Sequence, residues 1–372
     1  MFELKQYKTF LRLLCAAPAY FAISVLLTTL PFATPAQSQV QEFQSSIQPN
    51  GAGPTRNVPF LTLRNLTGSQ DPARVYGDER STLKAGFRQL TEFDFGKLGP
   101  LADRAPAFVR EEFLSVDQIR QQDPDSVVEH LHKTTAGRSM ALYVHGYNIG
   151  FEKGCRRAVL LQENAKLTER FLWFSWPSDG AIAYYTRDEA DLYWSVPDLA
   201  DTVIDLDAQF GNAAVDVIGH SLGARGVVLA LYEVANRTPD IRLGDVVLLA
   251  PDMDFEIFQR FAARIVSIAR SVTVYIADGD RPLAVSAQVH GYPRLGETGN
   301  DTSTLSGVEI IDLSKISGNS PSGHLYHIYS PLVGEDLDQL LNKDMPAADR
   351  ANLEQSGPNY WVMKMPDQEQ ND

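Results

Sequence analysis

The chain has 372 residues, 44% hydrophobic and 10% aromatic, enough for one large α/β domain or two small ones around a packed core. Its formal net charge of −14 argues against nucleic acid or an anionic membrane surface as a partner and reads as a solvated acidic surface. Of the two cysteines, Cys15 lies in the N-terminal apolar stretch and lacks the small preceding residue of a lipoprotein site. Without that stretch only Cys155 remains, so no intramolecular disulfide is available, and Cys155 reads as a small buried residue.

Lys5, Lys8 and Arg12 precede an apolar run from Leu13 to Leu30, and Ala33-Thr34-Pro35-Ala36 follows it. This is a signal-peptide layout over residues 1–36, with cleavage expected after Ala36 or Ser38. It implies export to the periplasm or beyond, with no stable membrane insertion after cleavage. The run is also long enough to act as an uncleaved anchor. Residues 37–57, rich in Gln, Ser, Pro and Gly, read as a flexible leader. The main domain is expected over 58–345, with a polar tail over 346–372.

Val58–Arg64 is the first expected strand. Tyr76–Ser81 and Leu83–Thr91 hold turns and a further strand. Glu92–Asp125 has no clear period, and Val127–His132 reads as a helix end. From Ser139 the pattern is regular. Strands are expected at Met140–Val144, Arg170–Trp176, Ala213–Ile218, Asp245–Ala250, Val272–Ala277 and, last, Val308–Leu313. Between them lie helical spacings at Phe151–Lys166, Asp188–Phe210 (broken near Pro197), from Ala224, and at Phe255–Arg270. Glu335–Asn342 closes the series. Apolar strands alternating with helices predict an α/β fold with a mostly parallel central sheet and helices on both faces. Sites in such sheets sit at the carboxyl ends of the strands. The chemistry-bearing clusters all follow strands: His145–Asn148, Ser221, Asp252 with Asp254, Asp278 with Asp280, and His324.

The sharpest motif is Gly219-His220-Ser221-Leu222-Gly223, a G-x-S-x-G between a strand and a helix. A strand turning tightly into a helix projects the central serine from the sheet edge, while the flanking glycines let the backbones pass. A serine hydroxyl needs a base, and an imidazole needs a carboxylate to fix its tautomer. In α/β-hydrolases these follow in the order Ser, acid, His. His324 is the expected base, with His327, His290 and His220 as alternatives. Asp280 is the expected acid, with Asp278, Asp252 and Asp254 as alternatives; Asp254 also suits a helix cap before Phe255. His324-x-x-His327 is half a metal site, but no third ligand has suitable spacing. The amides of Leu222 and Tyr147 are the expected oxyanion donors, with Asn148 bracing that loop. Trp176, Tyr184 and Tyr185, near Tyr193 and Trp194, are candidate pocket residues or ordinary aromatic core. Arg225, whose charge opposes the helix dipole, is expected to pair with a carboxylate.

Five stretches together resemble a bacterial family of uncharacterised α/β-hydrolases, esterase- or lipase-like. They are Tyr143–Asn148, Phe174–Ser178, Gly219–Arg225, Ala250–Asp254 and Asp280–Leu283, and the resemblance extends from Val58 to Leu341. Pro282 departs from the alanine more usual after the acid. The resemblance implies the α/β-hydrolase fold and a triad of Ser221, Asp280 and His324, but no substrate. The expected activity is cleavage of a small-molecule or lipid carboxylic ester through an acyl-enzyme, with no metal or organic cofactor. Acyl transfer, thioester or amide cleavage, and a non-catalytic envelope binding module are the alternatives.

Overall fold

The structure is a computed structural model that describes residues 41–44, 52–93, 111, 114–211, 213–316 and 323–365. The expected signal segment, much of the expected leader and the last seven residues lie outside the described residues. The chain from Ser38 to Asp372 forms one compact unit by itself.

In chain order the strands begin with β1 (Gln41–Gln44), β2 (Ala52–Leu66), β3 (Tyr76–Phe93) and β4 (Leu114–Gln122). Helix α1 (Pro124–Thr134) leads into β5 (Met140–Val144), α2 (Phe151–Asn164) and β6 (Phe171–Ser175). Then come α3 (Tyr185–Phe210), β7 (Val215–His220), α4 (Leu222–Arg237), β8 (Leu243–Leu249), α5 (Phe255–Ile268) and β9 (Ala269–Ile276). The last elements are α6 (Arg281–His290), β10 (Glu309–Asp312), α7 (Tyr326–Tyr329), α8 (Pro331–Lys343), β11 (Leu353–Gly357) and β12 (Tyr360–Met363).

All described strands join one sheet in the order β1-β4-β3-β2-β6-β5-β7-β8-β9-β10-β12-β11. From β2 to β12 the neighbours run parallel, while β1, β4 and β3 at one edge and β11 at the other are antiparallel. Register aligns the carboxyl ends: Val144 lies opposite Gly219, His220 opposite Leu249, and Leu249 opposite Tyr275. The loops after β5, β7, β8 and β9 therefore open at one edge.

Strand alternation splits the core in two. Met140, Leu142 and Val144 pack with Leu192, Leu199, Val227, Leu231, Phe258 and Ile265 on the α3, α4 and α5 side. Ala141 and Tyr143 pack with Cys155, Ala158, Leu161, Val333 and Leu337 on the α2 and α8 side. A parallel strand covered on both faces must be apolar throughout, which is why these strands read as short continuous runs. Each fully buried Leu, Ile or Val contributes about 1.5–3 kcal/mol. Cys155 is one of these core residues, and burial pushes its thiol up to about 12.

Four expectations are corrected. The leader holds β1, which pairs with β4, and from Ala52 the start of β2, which extends the predicted strand in both directions to pair with β3. The stretch read as turns plus a strand is one 18-residue strand, and β4 arises where no period was visible. Pro197 does not break α3. It removes one backbone donor, but Leu192, Leu199 and Val203 on either side are locked in the core, and that burial outweighs the lost bond. The supposed tail holds β11 and β12, so Val308–Leu313 is not the last strand. β12 pairs with β10 and buries Trp361 and Met363 at alternate positions.

Candidate active site

Ser221 sits between β7 and α4 with φ 54° and ψ −123°, a left-handed conformation costly for a residue with a side chain. It holds because its neighbours fix it. Its N–H donates to the Leu249 carbonyl at 2.9 Å, and its carbonyl accepts from Ala224 and Asp252. The glycines are required by close approach: a Cβ on Gly223 would lie 2.1 Å from the His145 carbonyl oxygen. One on Gly146 would lie 2.9 Å from Ser221 Cβ. The loop after β5 thus presses directly against the serine.

Against His220 of this elbow, whose ring lies 4.7 Å from that of His324, Asp280 and His324 meet. His324 Nδ1 donates to Asp280 Oδ2 at 2.7 Å, and both residues are buried. A carboxylate oxygen only accepts here, so Nδ1 carries the hydrogen and a neutral ring leaves Nε2 as its basic nitrogen. Asp280 Oδ1 simultaneously accepts from Leu283 N–H and caps α6. The carboxylate is therefore fixed at both oxygens. Among the described residues, no hydrogen bond ends on Ser221 Oγ or His324 Nε2.

The alternatives are otherwise engaged. Asp254 caps α5 by accepting from Ile257 N–H, and Asp278 is exposed. Asp252 is buried, accepting from the hydroxyls of Tyr185 and Ser286 at 2.5 Å each. Arg225 and Arg294 lie 3.3 and 3.2 Å from it. Burial alone would raise its carboxyl, but Arg225 and these hydrogen bonds hold it below the usual range. Arg225 also pairs with Glu189, which completes its expected pairing. His290 bonds Glu189 at 2.8 Å. His220 Nε2 donates to the His324 carbonyl at 3.2 Å, and the His327 ring packs on His220 at 4.1 Å, tilted by 37°.

The expected oxyanion donors fall at the elbow. Leu222 opens α4, where a helix leaves its first N–H groups without internal acceptors. Tyr147 follows Gly146 in the loop packed on Ser221. Asn148 braces that loop through its backbone, its N–H donating to Asp188 at 3.0 Å with φ 59°. The expected pocket residues separate. Trp176 is corrected: it is fully buried, stacks on His145 at 5.1 Å, and donates to the His145 carbonyl, so it supports the loop from beneath. The Tyr185 ring packs edge-on against Tyr147 at 5.0 Å. Tyr184 is about half exposed at the start of α3. The Glu189, Ser286 and Arg294 partners of this network carry no motif and escaped the sequence reading, which weighed His290 only as an alternative base.

Three histidines here are buried as neutral rings. Burial, then Arg64, lowers His145 to about 3; burial, then neighbouring histidines, pushes His220 and His327 well below the ordinary value. An unfolded histidine takes up its proton near 6.5, so the unfolded chain binds more protons below that pH. The stability of the neutral rings is complete above pH 6.5 and is lost as pH falls, for His145 down to about 3. Asp216 and Asp179, raised to about 6 by burial, act oppositely between 3.8 and 6. Burial also raises Asp188, Asp198, Asp207 and Asp336, which act with these two; the contribution of the three rings is a fall in Tm between pH 7 and 5. His327→Phe should shrink that fall in a calorimetric series; an unchanged fall would contradict this origin.

A sequence profile described as "alpha/beta hydrolase of unknown function (DUF900)" matches residues 120–343, more than half the chain. No curated protein matches. Several solved structures are similar at low identity. A Pyrobaculum calidifontis esterase is 14% identical, with TM-score 0.32, over 55% of this chain and 76% of its own. Est1E from Butyrivibrio proteoclasticus, solved with ferulic acid, is 14% identical, with TM-score 0.36, over 56% and 90%. A hormone-sensitive lipase from a metagenome library is 13% identical, with TM-score 0.30, over 70% and 81%. At these scores nothing about the site rests on them.

Proposed function

Because this chain belongs to the alpha/beta hydrolase family of unknown function DUF900, we propose that it is a serine hydrolase of carboxylic esters. The observation that carries the reading is the hydrogen-bonded His324–Asp280 pair packed on His220, the residue before a serine held in a strained strand-to-helix turn. Ser221 Oγ attacks the ester carbonyl while His324 Nε2 takes its proton. The amides of Leu222 and Tyr147 hold the oxyanion of the tetrahedral intermediate. The imidazolium, oriented by Asp280, returns the proton to the departing alcohol, leaving an acyl-serine. Water attacks this ester with His324 again acting as base; the acid leaves and Ser221 is restored.

The test is pre-steady-state hydrolysis of p-nitrophenyl esters of graded acyl length. The expected result is a burst of one nitrophenol per active site followed by slower turnover. Well-folded protein with neither burst nor turnover on any chain length would overturn the reading.

The N-terminal layout supports export as part of the same proposal. Protein recovered from the periplasm or medium of a bacterial host should have a mass starting at Gln37 or Gln39. Recovery only as full-length chain in the membrane fraction would mean that the segment is an anchor.

A further inference from the structure

Helix α6 carries an exposed apolar row on its outer side. Its inner positions are spent on the site: Leu283 is buried, Ser286 Oγ bonds Asp252, and His290 bonds Glu189. On the opposite face, Pro282, Val285 and Val289 follow one another at three- and four-residue steps, and Tyr292 continues the row past the Gly291 cap. Val285 is 60%, Val289 65% and Tyr292 58% exposed. An exposed apolar row, here flanked by exposed Arg281 and Gln288, is a candidate contact surface. Here no described residue covers the outer row.

Charge and size narrow the occupant. In a chain of net charge −14, no carboxylate occurs in the sequence from Arg281 to Gly296, and the carboxylates that the helix's inner face touches, Glu189 and Asp252, are paired with Arg225. The rest of the surface repels anionic layers. Together with half-exposed Tyr184, beside the Tyr185 that touches Ser286, the row offers on the order of 400 Å². That falls short of the roughly 800 Å² a partner that stable protein interfaces bury. Position adds a further constraint. The residue that caps α6 is Asp280, the partner of His324, so the row begins one turn from the site. A protein seated there would crowd the approach to Ser221, whereas a lipid surface would bring esters to it.

We propose that the outer face of α6 docks on the surface of an uncharged or zwitterionic lipid aggregate, so that the site takes acyl esters presented at that surface. The use of the docking rests on the serine-hydrolase reading, but the docking does not. The test therefore uses the chain from Ser38 onward as its Ser221→Ala variant, in flotation with phosphatidylcholine vesicles. The protein is expected to float with the vesicles, and Val285→Ser/Val289→Ser/Tyr292→Ser to lower partitioning tenfold or more. In the Ser221 background the triple variant should keep its Tm and its kcat/KM on a soluble short-chain ester. Vesicles containing phosphatidylglycerol should bind no better. Three results would overturn the proposal: no flotation, equal flotation of the triple variant, or a dimer in sedimentation that the triple variant dissociates. Failure of the catalytic reading would look different: an inert Ser221 with flotation intact.

Discussion

Ser221→Ala is expected to lower ester turnover by about 10⁶-fold while leaving Tm nearly unchanged, because serine, base and acid act as a unit. His324→Ala should cost a similar factor, and the double variant scarcely more than either alone. Asp280→Asn should cost less, about 10⁴-fold, by leaving the imidazole with the wrong tautomer. That variant carries a second, separable effect, since Asp280 also caps α6. Its Tm should drop slightly where that of Ser221→Ala does not. Comparable turnover in Ser221→Ala and the parent, on a soluble ester, would remove the serine from the chemistry.

The largest stability effect is expected at Asp252, two residues from a carboxylate that does something quite different. Asp252→Ala strips the shared acceptor from Arg225, Arg294, Tyr185 and Ser286, all at least largely buried. Removing one side of a buried ion pair typically costs about 3–5 kcal/mol, because the remaining charge stays desolvated. Glu189 offsets part of this for Arg225. Asp254→Ala removes only a cap bond at the start of α5 and should cost about 1 kcal/mol. Urea unfolding of the two variants side by side checks the contrast; equal losses would mean that the Asp252 network is not a buried electrostatic unit. Because the Asp252 backbone also holds the Ser221 carbonyl, loosening of this loop by the loss of the side-chain network should lower activity along with stability in the first variant and not in the second.

The parts of this molecule legible in its sequence are those encoded by neighbours along the chain. The parallel strands announce themselves as short apolar runs because both of their faces are covered. The elbow is visible because its steric demand falls on residues 219 to 223. The cap at Asp254 follows from its place before Phe255. What stayed hidden depends on partners far away in sequence. The residues alone left four carboxylates and four histidines open for one pairing; 44 residues separate Asp280 from His324, and only the folded sheet edge brings them to 2.7 Å. The same distance problem hid Glu189 and Ser286 around Arg225, and the contact of His290 with Glu189. Trp176 reads like a pocket residue from its neighbours, yet the sheet places it under His145. Strand β12 is four residues long in a polar stretch, too short for a period of two to be visible without β10 beside it.

The central claim is that Ser221 is an activated nucleophile. Its most direct test is reaction of the folded protein with a fluorophosphonate, followed by peptide mass mapping. The account predicts one adduct per chain, located on Ser221, absent in Ser221→Ala and strongly slowed in His324→Ala. Folded protein that forms no adduct at Ser221, or an adduct that persists at full rate without His324, would contradict it.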